Sequence, residues 1–112
     1  MPQFAILMLE TPGAWNRMAK AEQDRVMGLY GAWVEELRSA GAFVDGWPFG
    51  PGRVLVGGAD GVVESAPDPS RLAETGLFLV EAADLAAATK LARGCPALVH
   101  GETVVVRSVG HV

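Results

Sequence analysis

The chain has 112 residues, half of them apolar, with a net charge of −4 at pH 7 and a single cysteine. That length fits one domain, and the apolar half is enough for a core. The negative balance argues against nucleic acid and against an anionic membrane surface, and no apolar run approaches the roughly 20 residues of a membrane span.

A lone Cys95 excludes an internal disulfide. The start, Met-Pro-Gln-Phe, lacks the basic lead and cleavage site of a signal peptide. The expectation is a soluble cytoplasmic protein.

Gln3 to Leu9 reads as a strand, apolar on both faces. Thr11-Pro12-Gly13 breaks it, and 15–19 is ambiguous between a short helical turn and a loop. Glu22 and Asp24 then place negative charge where a helix start favours it. Val26, Tyr30, Trp33, Leu37 and Ala40 follow at spacings of four and three, one face of an amphipathic helix that Gly41 closes. Gly28 and Gly31 sit inside it at about 1 kcal/mol each against alanine. Close approach of a neighbouring backbone is one compensation.

Ala42 to Trp47 is a second strand, and 48–52 a loop rich in proline and glycine. Arg53 to Val56 and Val62 to Glu64 are two further strands. The turn Ala59-Asp60-Gly61 between them has hairpin chemistry. Ser65 to Ser70 is a second proline-bearing loop. Leu77 to Val80 is a continuous apolar run, as in a strand buried on both faces.

Asp84 has N-cap chemistry. Leu85, Ala88, Leu91, Ala92 and Cys95 form an apolar stripe behind it. Gly94 is the expected left-handed stop, and Pro96 blocks continuation. A connection holding His100 leads to the last strand, Thr103 to Val109.

The order β-α-β-(hairpin)-β-α-β predicts an α+β fold. Its expected form is a ferredoxin-like split β-α-β sheet with an inserted hairpin and both helices on one face. The first, fifth and last strands are apolar on both sides. The uncovered face would then expose a larger patch than soluble monomers usually carry. A homodimer packed sheet against sheet is therefore expected.

Several features together resemble the YCII-related proteins, in particular the DGPF-type branch. They are the Thr11-Pro12-Gly13 break before Trp15, Tyr30 on a helix ending at Gly41, Asp60-Gly61, Gly76 to Glu81, Ala83-Asp84-Leu85, Cys95-Pro96 and Val106 to Val109. The resemblance covers nearly the whole chain. It implies a ferredoxin-like domain assembled as a dimeric α+β barrel, and in some members a small enzyme using a histidine–aspartate pair. This chain departs from the branch motif. Glu64 stands where its Asp would be and Arg71 where its Lys would be, the Gly-Pro-Phe core is missing, and the long helix has no histidine.

Three groups carry candidate chemistry. Glu64, Asp68 and Arg71 put two carboxylates and a guanidinium on one loop. Either Arg71 fixes an anionic substrate group while a carboxylate acts as general base, or the loop is solvated with a weak ion pair. His100 is either a proton shuttle or a partly exposed loop side chain. Trp47, Phe49 and Arg53 either line an apolar pocket or form a dimer contact. His111 lies at the terminus and carries no expected role.

Cys95 reads as structural. Scattered histidines and one cysteine make no metal site, and no phosphate-binding glycine spacing occurs, so neither a metal nor another cofactor is expected. The first functional expectation is a small cofactor-free enzyme doing general acid–base chemistry on a small anionic organic molecule, with Asp68, His100 and Glu64 catalytic and Arg71, Trp47, Phe49 and Arg53 binding substrate. The alternative is a non-catalytic dimeric module that binds a metabolite or a protein.

Overall fold

Period-two alternation sets the centre of the fold. In a computed structural model, which describes residues 1–110, β1 (Gln3–Glu10) buries every second side chain. Phe4, Ile6 and Met8 go under the helices, while Ala5, Leu7 and Leu9 take the other face. β1 lies between β5 (Ala73–Glu81) and β6 (Thr103–Ser108), antiparallel to both. β2 (Phe43–Pro48) pairs with the far side of β5. The four-stranded order is thus β2-β5-β1-β6. β2 and β6 are free edges, so the chain alone is an open sheet and not a closed barrel.

The helices follow from the sequence with corrections at their ends. A four-residue α1 (Ala14–Arg17) fills the ambiguous stretch. α2 (Lys20–Ser39) buries Val26, Trp33 and Leu37 and stops at Gly41, which has φ +70°. α3 (Leu85–Ala92) is capped by Asp84, whose Oδ1 accepts from the Ala87 N–H at 2.8 Å. Such a cap contributes about 1 kcal/mol.

Gly94 is not the left-handed stop that its position suggests, since its φ is not positive. Its role is steric. A Cβ there would lie 2.9 Å from Trp33 Nε1, and that indole N–H donates to Leu91 O at 3.3 Å. Glycine lets α2 and α3 meet across the tryptophan. A Cβ added at Gly28 or Gly31 would meet nothing within 4 Å, so no neighbouring backbone offsets their helix cost.

Among the described residues β3 (Val54–Gly58) and β4 (Gly61–Ser65) pair only with each other. Residues 50–72 are exposed throughout. The hairpin is therefore an arm that leaves the body, in keeping with an extent of 50 × 42 × 19 Å. The core itself is apolar: no polar or charged residue is fully buried among the described residues. Among them, no helix is long and apolar enough to cross a membrane.

Candidate functional site

A cavity of about 480 Å³ opens where β1 ends and β6 begins. Met8 and Phe78 form its floor on the sheet, and Trp15 of α1 and Tyr30 of α2 reach it from above. Trp47 and Phe49 stand at its β2 side. Phe78 is held by a stacked contact with Tyr30, centroids 6.0 Å apart, and by an edge contact with Trp33 at 5.0 Å. Three hydrogen bonds fix the rim: Gln23 Nε2 donates to Trp15 O at 2.8 Å, the Phe49 N–H to Thr75 O at 2.9 Å, and Thr75 Oγ1 to Met8 O at 3.4 Å.

The ionisable groups arrive by simple continuation of the strands. The stripe Phe4, Ile6, Met8 extends at period two to Glu10. On β6 the inward residues Val106 and Val104 extend back to Glu102. The ladder ends at Leu9–Thr103, so Glu10 and Glu102 are the next positions on the two strands. Both line the cavity.

His100 ends a 3₁₀ turn, Pro96–His100, that Pro96 opens at a position where no N–H is needed. Gly101, at φ +78° and ψ +14°, reverses the chain. The Glu102 N–H then donates to Ala97 O at 3.0 Å. This tight turn brings His100 Nε2 within 3.2 Å of Glu102 Oε1, with the two side chains only 13% and 10% exposed.

Burial shapes the chemistry of this cluster. It pushes the Glu102 carboxyl up to about 8, helped by the neighbouring Glu10 carboxyl. At neutral pH Glu102 is therefore mostly protonated. Burial, with Cys95, Glu102 and Glu10 nearby, also holds the Tyr30 phenol far above its usual range, so it stays a neutral donor. Cys95 is buried and its thiol is raised by that burial.

His100 Nδ1 is buried without a hydrogen-bond partner among the described residues. A proton-bearing carboxyl, a second carboxyl and an imidazole thus share one aromatic-walled cavity. That set can hold and move a proton.

The residues singled out in the sequence divide between two places. His100, Trp47 and Phe49 line the cavity. Glu64 and Arg53 are on the arm and pair with each other at 3.3 Å, both more than half exposed. Asp68 is exposed and turned inward on its own loop: its Oδ1 accepts from Ser70 N–H and Ser70 Oγ at 2.9 and 2.7 Å. Those bonds, Ser70's side chain first, hold its carboxyl below the usual range. Arg71 is exposed beside it. None of these four lines the cavity, and His111 lies outside the described residues.

Scanned against models of known protein families the chain matches none, and no curated protein is significantly similar to it.

Glu10 and Glu102 were not visible as candidates in the sequence, and Tyr30 read as core. The usable signal was the polar residue that continues each inward stripe one step past its strand. A further depression of about 510 Å³ lies between α2 and α3. Its ionisable residues, Glu36, Glu81 and Lys90, form no salt bridge among the described residues, and nothing there gathers proton-transfer groups. Among the described residues no group of three or more His, Cys, Asp or Glu is placed to hold a metal.

Proposed function

We propose that the chain is a small cofactor-free enzyme that moves protons on a small organic molecule bound in the cavity of Glu10, His100 and Glu102. One observation carries this reading: two glutamate carboxyls and a histidine, His100 and Glu102 only 3.2 Å apart, gather inside one aromatic-walled cavity, where burial pushes the Glu102 carboxyl up to about 8. Glu102 donates its proton to one atom of the substrate. The Glu10 carboxylate takes a proton from another. Proton transfer between the two neighbouring carboxyls returns the proton to Glu102, so the pair resets without any other reagent. His100 orients Glu102 through the 3.2 Å contact. A proton-shift isomerisation is the reaction that such a cycle balances.

The strand order supports a ferredoxin-like reading. β1 and β2 flank β5 with α2 as crossover, and β5 and β6 flank β1 with α3 as crossover, an arrangement that a split β-α-β fold would have. That order also suits the proposed kinship with the YCII-related proteins. A homodimer belongs to the same reading. The register aligns Trp47, Leu77, Leu7 and Val105 in one apolar row across the face away from the helices. A cytoplasmic location fits the buried free thiol of Cys95.

The second reading, a non-catalytic dimeric binding module, is favoured by the exposed apolar arm. Deuterium incorporation from solvent decides between the two. Small metabolites are incubated with the protein in D₂O and followed by NMR. Exchange into one of them, lost in Glu102→Gln and Glu10→Gln and kept in Asp68→Asn, supports the enzyme. Exchange that survives both glutamine variants, or no exchange with any compound that binds, leaves the module.

A further inference from the structure

The cavity is one-sided in its charge. Its ionisable lining is Glu10, Tyr30, His100 and Glu102. Of the nine lysines and arginines in the chain, none lines it. Arg17, on the neighbouring helix α1, is exposed and donates from Nη1 to Pro12 O at 3.1 Å. An anionic ligand would have to leave water beside the Glu10 carboxylate with no arginine or lysine to meet it.

A cation meets the opposite conditions. Two carboxyls stand at one end, and Trp15, Tyr30, Phe49 and Phe78 give aromatic walls. The negative faces of such rings attract ammonium groups. The volume of about 480 Å³ suits a small molecule, and the overall charge of −4 favours the approach of a cation.

We propose that the ligand of this cavity is a small organic cation, an ammonium group on an apolar or aromatic body, with its charge held by Glu10 and Glu102 and its body against the aromatic walls. The inference rests on reading the cavity as the ligand site and adds the class of ligand. It departs from the anionic substrate that Arg71 suggested.

Three probes with one ring and three charges test this: benzylammonium, benzyl alcohol and benzoate, titrated into the full chain at pH 7 and followed by NMR. Benzylammonium is expected to bind at least tenfold more tightly than benzyl alcohol, and benzoate more weakly than either. In Glu10→Gln the ratio of ammonium to alcohol affinity falls toward one. Benzoate binding more tightly than benzylammonium, or a ratio unchanged in Glu10→Gln, overturns the inference. If the alcohol binds as well as the ammonium, the ligand class fails and the site stands. If none of the three binds, both the site and the proposed function fall.

Discussion

Glu102 Oε1 lies 3.2 Å from His100 Nε2, two residues away along the chain, because Gly101 takes a left-handed conformation between them. Neither residue belongs to a long regular element. Their meeting depends on one turn, which is packed under α2 and fixed by the Glu102 N–H to Ala97 O bond at 3.0 Å. Replacing Gly101 by alanine forces a side chain into φ +78°, which costs about 1 kcal/mol, and it shifts the histidine against its carboxyl. The expected outcome is a folded protein of slightly lower stability whose Glu102 titrates at a different pH. NMR titration of a Glu-labelled sample reads that change.

Stability should fall as pH rises. The Glu102 carboxyl is held at about 8 in the folded chain against an ordinary value of 4.5. Between those values the folded state keeps a proton that the unfolded state has lost. Linkage then makes the folded state less favourable with each step in pH. Its contribution is whole below pH 4.5, declines through the neutral range and is gone once pH passes 8. Glu102→Gln cannot lose a proton, so its melting temperature should vary less from about pH 5 to about pH 9 than that of the wild type. Equal slopes for the two proteins would show that Glu102 ionises normally.

Gly28→Ala and Gly31→Ala should each stabilise the fold. Both glycines are exposed on α2, and a Cβ at either meets nothing within 4 Å. Only the helix cost of glycine remains, about 0.5–1 kcal/mol per site. Urea denaturation should show the gain, and it should add in the double variant.

Gly94→Ala should do the reverse. A Cβ at 2.9 Å from Trp33 Nε1 and 3.5 Å from Leu91 O presses on an indole that is itself packed on Phe78. Overpacking of this kind costs about 1–3 kcal/mol. The same urea experiment reads it, and Trp fluorescence should shift as the indole moves. The two outcomes together separate glycines that are needed from glycines that are not.

Much of the fold was legible because its signals are local. Phe4, Ile6 and Met8 alternate, Val26, Trp33 and Leu37 keep helical spacing, and Asp84 and Gly41 mark helix ends through their own chemistry. The site was legible only in part. His100 stood out as a lone histidine, but Glu10 lies at the other end of the chain, and only the register of β1 against β6 brings the two glutamates together. The placement of the arm was hidden for a related reason. Glu64, Asp68 and Arg71 sit on loops of the composition that often carries function. What removes them from the cavity is that β3 and β4 pair with each other and with no other strand, and no residue type in the hairpin announces that.

The arm should be stable only in an assembly. Leu55, Val56, Val62 and Val63 are 66, 58, 70 and 67% exposed, with Val56 opposite Val63 in the ladder. A two-stranded hairpin alone is marginal in water, and so much apolar surface invites a partner. The proposed homodimer offers one at every concentration where the dimer exists. Amide hydrogen exchange of residues 54–65 should therefore be slow in concentrated protein and fast after dilution below the dimer's dissociation constant. Leu77→Arg, on the open sheet face, should give a monomer by sedimentation and speed exchange in the arm with it. Val63→Asp should weaken the dimer while the exchange of β1 and β5 core amides stays slow. Arm amides that remain protected in a Leu77→Arg monomer would show a hairpin that stands by itself, and the sheet-face dimer would lose its link to the arm.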